Sequence, residues 1–214
     1  MRVRITFAKQ GALRYTGHLD LHKIWERAAR RADLPLAYSQ GFHPQPKISL
    51  ASALPLGFSS HAEVLDMKLD ADVSPDDICA RLKAALPSGI QIQNVESVDE
   101  SLPALQTQIV SAEYVVALTA VIQETDLKQR IEELMRAKSL PRERRGKPYD
   151  LRPLIEELNI LRGQTSMPEH TPPLMISMRL TARQGATGRP EEVLGALGIP
   201  IEGMHIERTH LFFG

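Results

Sequence analysis

A single cysteine, Cys79, in 214 residues excludes an intrachain disulfide, a thiolate zinc site and an iron–sulfur cluster ligated by this chain alone. Aromatic residues are scarce at 5%, so any place where rings gather stands out. No apolar run approaches the ~20 residues that span a bilayer, and the opening Met1-Arg2-Val3-Arg4 lacks the pattern of a secretory leader. The expectation is a soluble cytoplasmic protein with no membrane partner. Also missing are a Gly-x-Ser-x-Gly elbow, a Walker lysine loop, a His-Glu-x-x-His pair and any paired carboxylate cluster, which argues against a conventional hydrolase. Net charge is absent too: 26 Lys and Arg balance 26 Asp and Glu, so no global field draws a polyanion.

The balance hides a sorting of charge along the chain. Residues 1–50 hold nine Lys and Arg against Asp20, Glu26 and Asp33. Residues 61–133 reverse the sign, led by Glu63, Asp66, Asp70, Asp72, Asp76 and Asp77. A second basic run from Arg136 to Arg152 carries seven cations against Glu143 and Asp150. Charge sorted in this way creates local fields that a zero total conceals.

In the first basic region lies Tyr38-Ser39-Gln40-Gly41-Phe42-His43-Pro44-Gln45-Pro46-Lys47. Gly41 permits backbone angles that other residues resist, and Pro44 and Pro46 stiffen the chain around it. A stiff polar loop bearing rings is a means of presenting a recognition surface. It follows a segment in which Leu21, Ile24, Trp25, Ala28 and Ala32 form one apolar stripe at helical spacing, with Lys23, Arg27 and Arg30 on the opposite side. Helix face and loop together suit an anionic, ring-containing partner, and RNA is the candidate.

The remaining periodicities give an α+β fold. Arg2 to Ala8 alternates as a half-buried strand, and Thr16 or Gly17 starts the helix, which Leu34-Pro35 ends. Lys47–Ala53 and Ala62–Leu69 read as strands joined through Leu54-Pro55-Leu56-Gly57. Ser74-Pro75 opens a helix containing Ile78, Leu82 and Leu86, and Ile90–Val95 alternates again. The order β-α-β-β-α-β is the ferredoxin-like split unit. Ser97–Thr107 reads as a linker, and the order then recurs. Tyr114–Leu118 is a strand, Asp126–Arg136 a helix, Leu174–Leu180 a strand, Glu191–Leu197 a short helix and Met204–Phe213 a closing strand. Leu154–Leu161 fits either a strand or a helix. Tandem ferredoxin-like units with antiparallel sheets are therefore expected, over residues 1–100 and 110–214.

Each candidate also has a plainer reading. The basic helix face reads either as a phosphate-binding surface, in Arg27, Arg30 and Arg31, or as a solvated face. Tyr38, Phe42, His43 and Lys47 form either a stacking platform with phosphate contacts or a structural turn. His18 has an acid–base range near neutrality that Asp20 could orient, or it merely begins a helix. A metal held by His18, Asp20 and His22 is disfavoured, because these alternate around a helix, and no metal or cofactor is expected. Arg142–Lys147 is a basic loop contacting RNA or a solvated hairpin tip. Arg183, Gly185, Gly188 and Arg189 suit an anion without completing a nucleotide fingerprint.

Tyr15-Thr16-Gly17-His18-Leu19-Asp20, then Glu26–Ala32, then Leu34 to Pro44, with Lys47, Leu54-Pro55-Leu56-Gly57, Glu63 and Asp66, resemble the radical-SAM-linked protein family, the bacterial domain of unknown function 2344. Gly17 stands where that family leads one to expect serine. The resemblance implies a protein encoded beside, or fused to, a radical SAM enzyme, often near genes of RNA processing and ribosomes. It supplies no established activity. Any cluster and SAM would then sit on another chain. Tandem split units also look like RNA-binding proteins of the CRISPR endoribonuclease class, an analogy of fold alone. Three functions follow: an RNA-binding accessory module of a radical SAM enzyme in tRNA or rRNA modification or processing, without intrinsic catalysis; a metal-independent endoribonuclease using His18 or His43 near Lys47; or a protein–protein adaptor without nucleic acid.

Overall fold

The computed structural model describes residues 1–119, 122–163 and 174–214. It is α+β, its sheet strands pair mostly antiparallel, and it divides into two compact units, Met1–Ile109 with Gly214, and Val110–Phe213.

The first unit runs β1 (Arg2–Lys9), α1 (His18–Arg31), β2 (Ile48–Leu50), β3 (Ser59–Lys68), α2 (Pro75–Ala85) and β4 (Ile90–Val98). Its strands lie in the order β4-β1-β3-β2, each pairing antiparallel. Alternation along β1 sends Val3, Ile5 and Phe7 to one face, where Leu21, Trp25, Ala28 and Ala29 of α1 and Ile78 and Leu82 of α2 cover them. Trp25 meets Phe7 edge-on at 4.7 Å and 65°, the favoured aromatic geometry.

Helix ends follow local chemistry. Ser74 caps α2 by accepting from the Asp77 amide at 3.2 Å, with Pro75 in the first turn. Helix α1 stops at Arg31, earlier than Leu34-Pro35 suggested. Asp33 takes a left-handed φ of 50°, the Leu34 amide donates to the Ala29 carbonyl and the Asp33 amide to Arg30. This pairing satisfies the last carbonyls and turns the chain before the proline acts.

The expected linker is a structural strap. β4 continues to Val98, and Arg2 donates to the carbonyls of Leu102 and Pro103 at 2.7 and 3.0 Å. Leu105 is buried in the short 3₁₀ turn Leu105–Thr107. The sheet face opposite the helices is therefore covered as well.

The second unit contains β5 (Ile109–Ala117), α3 (Glu124–Arg136), a separate hairpin β6 (Pro141–Arg144) and β7 (Lys147–Asp150), then β8 (Ile155–Arg162), β9 (Leu174–Arg183), β10 (Ala186–Thr187), α4 (Pro190–Ala196) and β11 (His205–Phe213). β5 lies between β11 and β9, and β8 and β10 both pair with β9. Residues 155–162 are thus strand, which closes the alternative left by their helical spacing. A bulge explains that spacing: Ile155 pairs Leu180 and Glu157 pairs Arg179, so Glu156 is the extra residue. Ile155 and Leu158, an odd interval apart, are both buried as a result.

Candidate nucleic-acid interface

Helix α1 buries one stripe and turns its cationic side outward. Arg27, Arg30 and Arg31 line a groove of about 500 Å³ whose other walls are Leu13, Ile24 and Pro87. Leu13 comes from the 3₁₀ turn Gly11–Tyr15 and Pro87 from the end of α2. An apolar floor under guanidinium groups suits a ligand that is both ringed and anionic, because guanidinium binds phosphate in a planar fork and also stacks. Leu13 and Pro87 lay outside the sequence reading, since neither sits in a periodic segment.

The three arginines differ in how free they are. Arg30 is held above its ordinary pKa by a hydrogen bond with Tyr38 and by the Glu26 carboxylate, which it meets at 2.7 Å. Arg31 donates to the Ala85 carbonyl at 2.8 Å and so closes the C-terminus of α2. Arg27 is exposed and, among the described residues, makes no ion pair or side-chain hydrogen bond.

The loop is a closed, hairpin-like turn. Tyr38 bridges Pro46, Ser39 donates to the Gln45 carbonyl at 2.8 Å, and the Gln45 amide donates to Ser39 Oγ at 2.9 Å. Gly41, with φ 126°, sits in the five residues outside this closure. Phe42 is fully exposed at 101%, and His43 is exposed beside it. Tyr38 is half-buried, with its hydroxyl against Arg30. It acts as the joint between loop and helix.

Other candidates lie elsewhere. Lys47 lines a different groove, with Arg2, Asp66, Lys68 and Glu100. His18 is the first residue of α1 and exposed. His22 Nε2 approaches the Ile48 carbonyl at 3.1 Å and Asp20 faces Lys23 at 4.0 Å. Among the described residues, no three His, Cys, Asp or Glu side chains gather as a metal site. The N-terminal surplus of cations also shrinks on folding. Arg2 and Arg4 are consumed by Asp66, and Lys9 is buried, donating to the Thr16 carbonyl at 2.8 Å.

The chain belongs to the DUF2344 family. The model of this family, described as an uncharacterized protein conserved in bacteria, matches residues 2–190. No curated protein matches the chain. Among solved structures, a chain of a Cbf5–Nop10–Gar1 complex is similar over 98% of this chain and 48% of its own, with 10% identity and a TM-score of 0.52. A chain of an H/ACA RNP bound to a substrate RNA containing 2'-deoxyuridine is similar over 97% of this chain and 46% of its own, at 12% identity and a TM-score of 0.45. This DUF2344 chain spans about half the length of those two, and at 10% identity the first shares its fold alone. Among the described residues of the DUF2344 chain, no helix is long and apolar enough to cross a membrane.

Proposed function

We propose that this chain is a non-catalytic RNA-binding module that works beside a separate radical SAM enzyme in the bacterial cytoplasm, in tRNA or rRNA modification or processing. The observation that carries the RNA reading is the groove of Arg27, Arg30 and Arg31 over Leu13, Ile24 and Pro87, tied through Tyr38 to a loop that holds Phe42 in solvent. Single-stranded RNA offers what these groups can use, phosphates for the guanidinium forks and splayed bases for an exposed ring. The radical SAM partnership rests on the resemblance and on the family, with the cluster and SAM held by the other chain.

Two ferredoxin-like units over residues 1–100 and 110–214 are the architecture this reading carries. The order β4-β1-β3-β2 in the first unit, and β5 between β11 and β9 with β8 outside β9 in the second, support it.

The test is binding of a labelled single-stranded RNA to the purified chain at low salt, alone and with its radical SAM partner. Arg27→Ala with Arg30→Ala is expected to weaken binding about tenfold or more, since each removes charge-assisted contacts. Absence of binding at low salt overturns the RNA reading and leaves a protein adaptor, for which the exposed Phe42 ring would be the anchor.

A further inference from the structure

The second basic run is sorted by the hairpin into two faces. Arg142 pairs Tyr149 and Arg144 pairs Lys147, whereas Pro141 pairs Asp150 and Glu143 pairs Pro148. Alternation therefore puts Arg142, Arg144, Lys147 and Tyr149 on one face and Glu143 on the other. Burial agrees: Arg142, Arg144 and Tyr149 are half-buried, and Glu143 is exposed. The cationic face is turned toward the body of its own unit.

There it walls a cleft of about 450 Å³, within the size range of small-ligand sites. Arg144, Arg145, Lys147 and Tyr149 stand on the hairpin side, and Gly185, Ala186 and Thr187 of the β9–β10 turn with Leu154 stand opposite. The facing wall is tight because Gly188 brings its backbone close: a Cβ there would meet the Leu154 carbonyl at 2.9 Å.

Several neighbouring charges are already engaged. Arg136 pairs with Glu132 at 3.1 Å, Arg152 caps the end of α3 at the Met135 carbonyl, and Arg142 donates to the Pro141 carbonyl. Asp150, the carboxylate lining the cleft, accepts from the amides of Leu140 and Arg152 at 2.7 and 2.9 Å. Among the described residues, Arg144, Arg145 and Lys147 have no carboxylate within ion-pair distance. Burial raises the Tyr149 pKa, with Glu192 adding to it and Arg144, Arg142 and Arg189 opposing, so the phenol remains neutral. Three unpaired cations beside a half-buried ring in an apolar-walled cleft are the groups that recognise a base and its phosphate.

The geometry points to a nucleotide site in this cleft, with the phosphate held by Arg144, Arg145 and Lys147 and the base laid against Tyr149. It stands apart from the α1 groove and does not depend on it. The nucleotide can be free or part of an RNA strand, and the chemistry is the same for both.

The test titrates adenosine monophosphate, a short single-stranded RNA and inorganic phosphate separately into the full chain, following backbone amide resonances. Amides of Arg144–Lys147 and Gly185–Thr187 are expected to move with a nucleotide probe. A response to the monophosphate identifies a free-nucleotide site, and a response to RNA alone identifies a strand-binding site. Arg144→Ala with Lys147→Ala should weaken the response about tenfold or more. Tyr149→Phe should preserve it and Tyr149→Leu should reduce it. These shifts should persist in Arg27→Ala with Arg30→Ala, so failure of the α1 groove is read separately. Silence of the cleft amides with both nucleotide probes overturns the proposal, as does equal affinity for inorganic phosphate, which would leave the ring without a role.

Discussion

Asp66 accepts from two guanidinium groups at once, Arg2 Nη2 at 2.5 Å and Arg4 Nε at 2.8 Å. Arg2 and Asp66 are 6% and 4% exposed, so desolvation is nearly complete and the charges are tolerable only as a set. Removing one partner from such a set leaves uncompensated buried charge, a loss of ~3–5 kcal/mol. Asp66→Asn is accordingly expected to lower the urea midpoint sharply, with Trp25 as the reporter. Trp25 is the only tryptophan and fully buried, so its emission reports the first unit. An unchanged midpoint would mean that the two arginines find other partners. The same residues show what was not legible beforehand. Alternation places Arg2 and Arg4 on the face opposite the core, but nothing in the letters says that this face is covered by the strap at Leu102–Leu105.

At the scale of elements, caps and closures can be tested one by one. Helix α2 has a side-chain cap at Ser74, whereas α1 begins after Gly17, which offers none. Ser74→Ala should cost ~1 kcal/mol, and Gly17→Ser should gain a few tenths of a kcal/mol, both read from thermal midpoints. Gly17 already has extended backbone angles, φ −69° and ψ 164°, and a Cβ there would lie 3.8 Å from Asp20 Oδ2, an ordinary contact. A loss of stability in Gly17→Ser would mean that the bare backbone there has another use. The hairpin base supplies a pH dependence. Amides of Leu140 and Arg152 donate to Asp150 and hold its pKa below the ordinary 3.8. A depressed carboxylate contributes stability above its unfolded pKa, and that contribution disappears as pH falls through the folded value. The Leu140 and Arg152 amide resonances should therefore titrate together with a midpoint below 3.8, and a midpoint at or above it would contradict the closure. Elements with strong local signals were readable: the stripe of α1, Ser74-Pro75, and the alternation of β1 and β4. Residues 155–162 left strand and helix open, because a bulge gives a strand the three-residue interval of a helix. The strap was misread because Pro103 and its polar neighbours hide one buried leucine, Leu105. The candidate site was legible in part: the arginines of α1 converge on one groove, but Lys47 lies in another, a separation set by the turn into β2.

For the whole molecule, a formal charge of zero makes a specific demand on any RNA interaction. Counterion release depends on the phosphates neutralised at contact, not on the sum over the chain, so a neutral protein can bind with a definite but shallow salt dependence. If Arg27, Arg30 and Arg31 each meet one phosphate, the logarithmic slope for a single strand is about −2, or a loss of roughly twentyfold in affinity between about 50 and 200 mM salt. Arg27→Ala with Arg30→Ala should flatten the slope to about −0.7. Because Arg31 also serves the end of α2 through Ala85, its substitution would mix binding with stability, and the double variant spares it. A slope unchanged in that variant would remove phosphate from the α1 groove. A wild-type slope much steeper than −2 would instead require further cations at the contact, and Arg144, Arg145 and Lys147 in the second unit are the ones left without carboxylate partners among the described residues. Adding Arg144→Ala and Lys147→Ala should then take away the remainder, by about 0.7 per phosphate lost, which apportions the RNA contact between the two units.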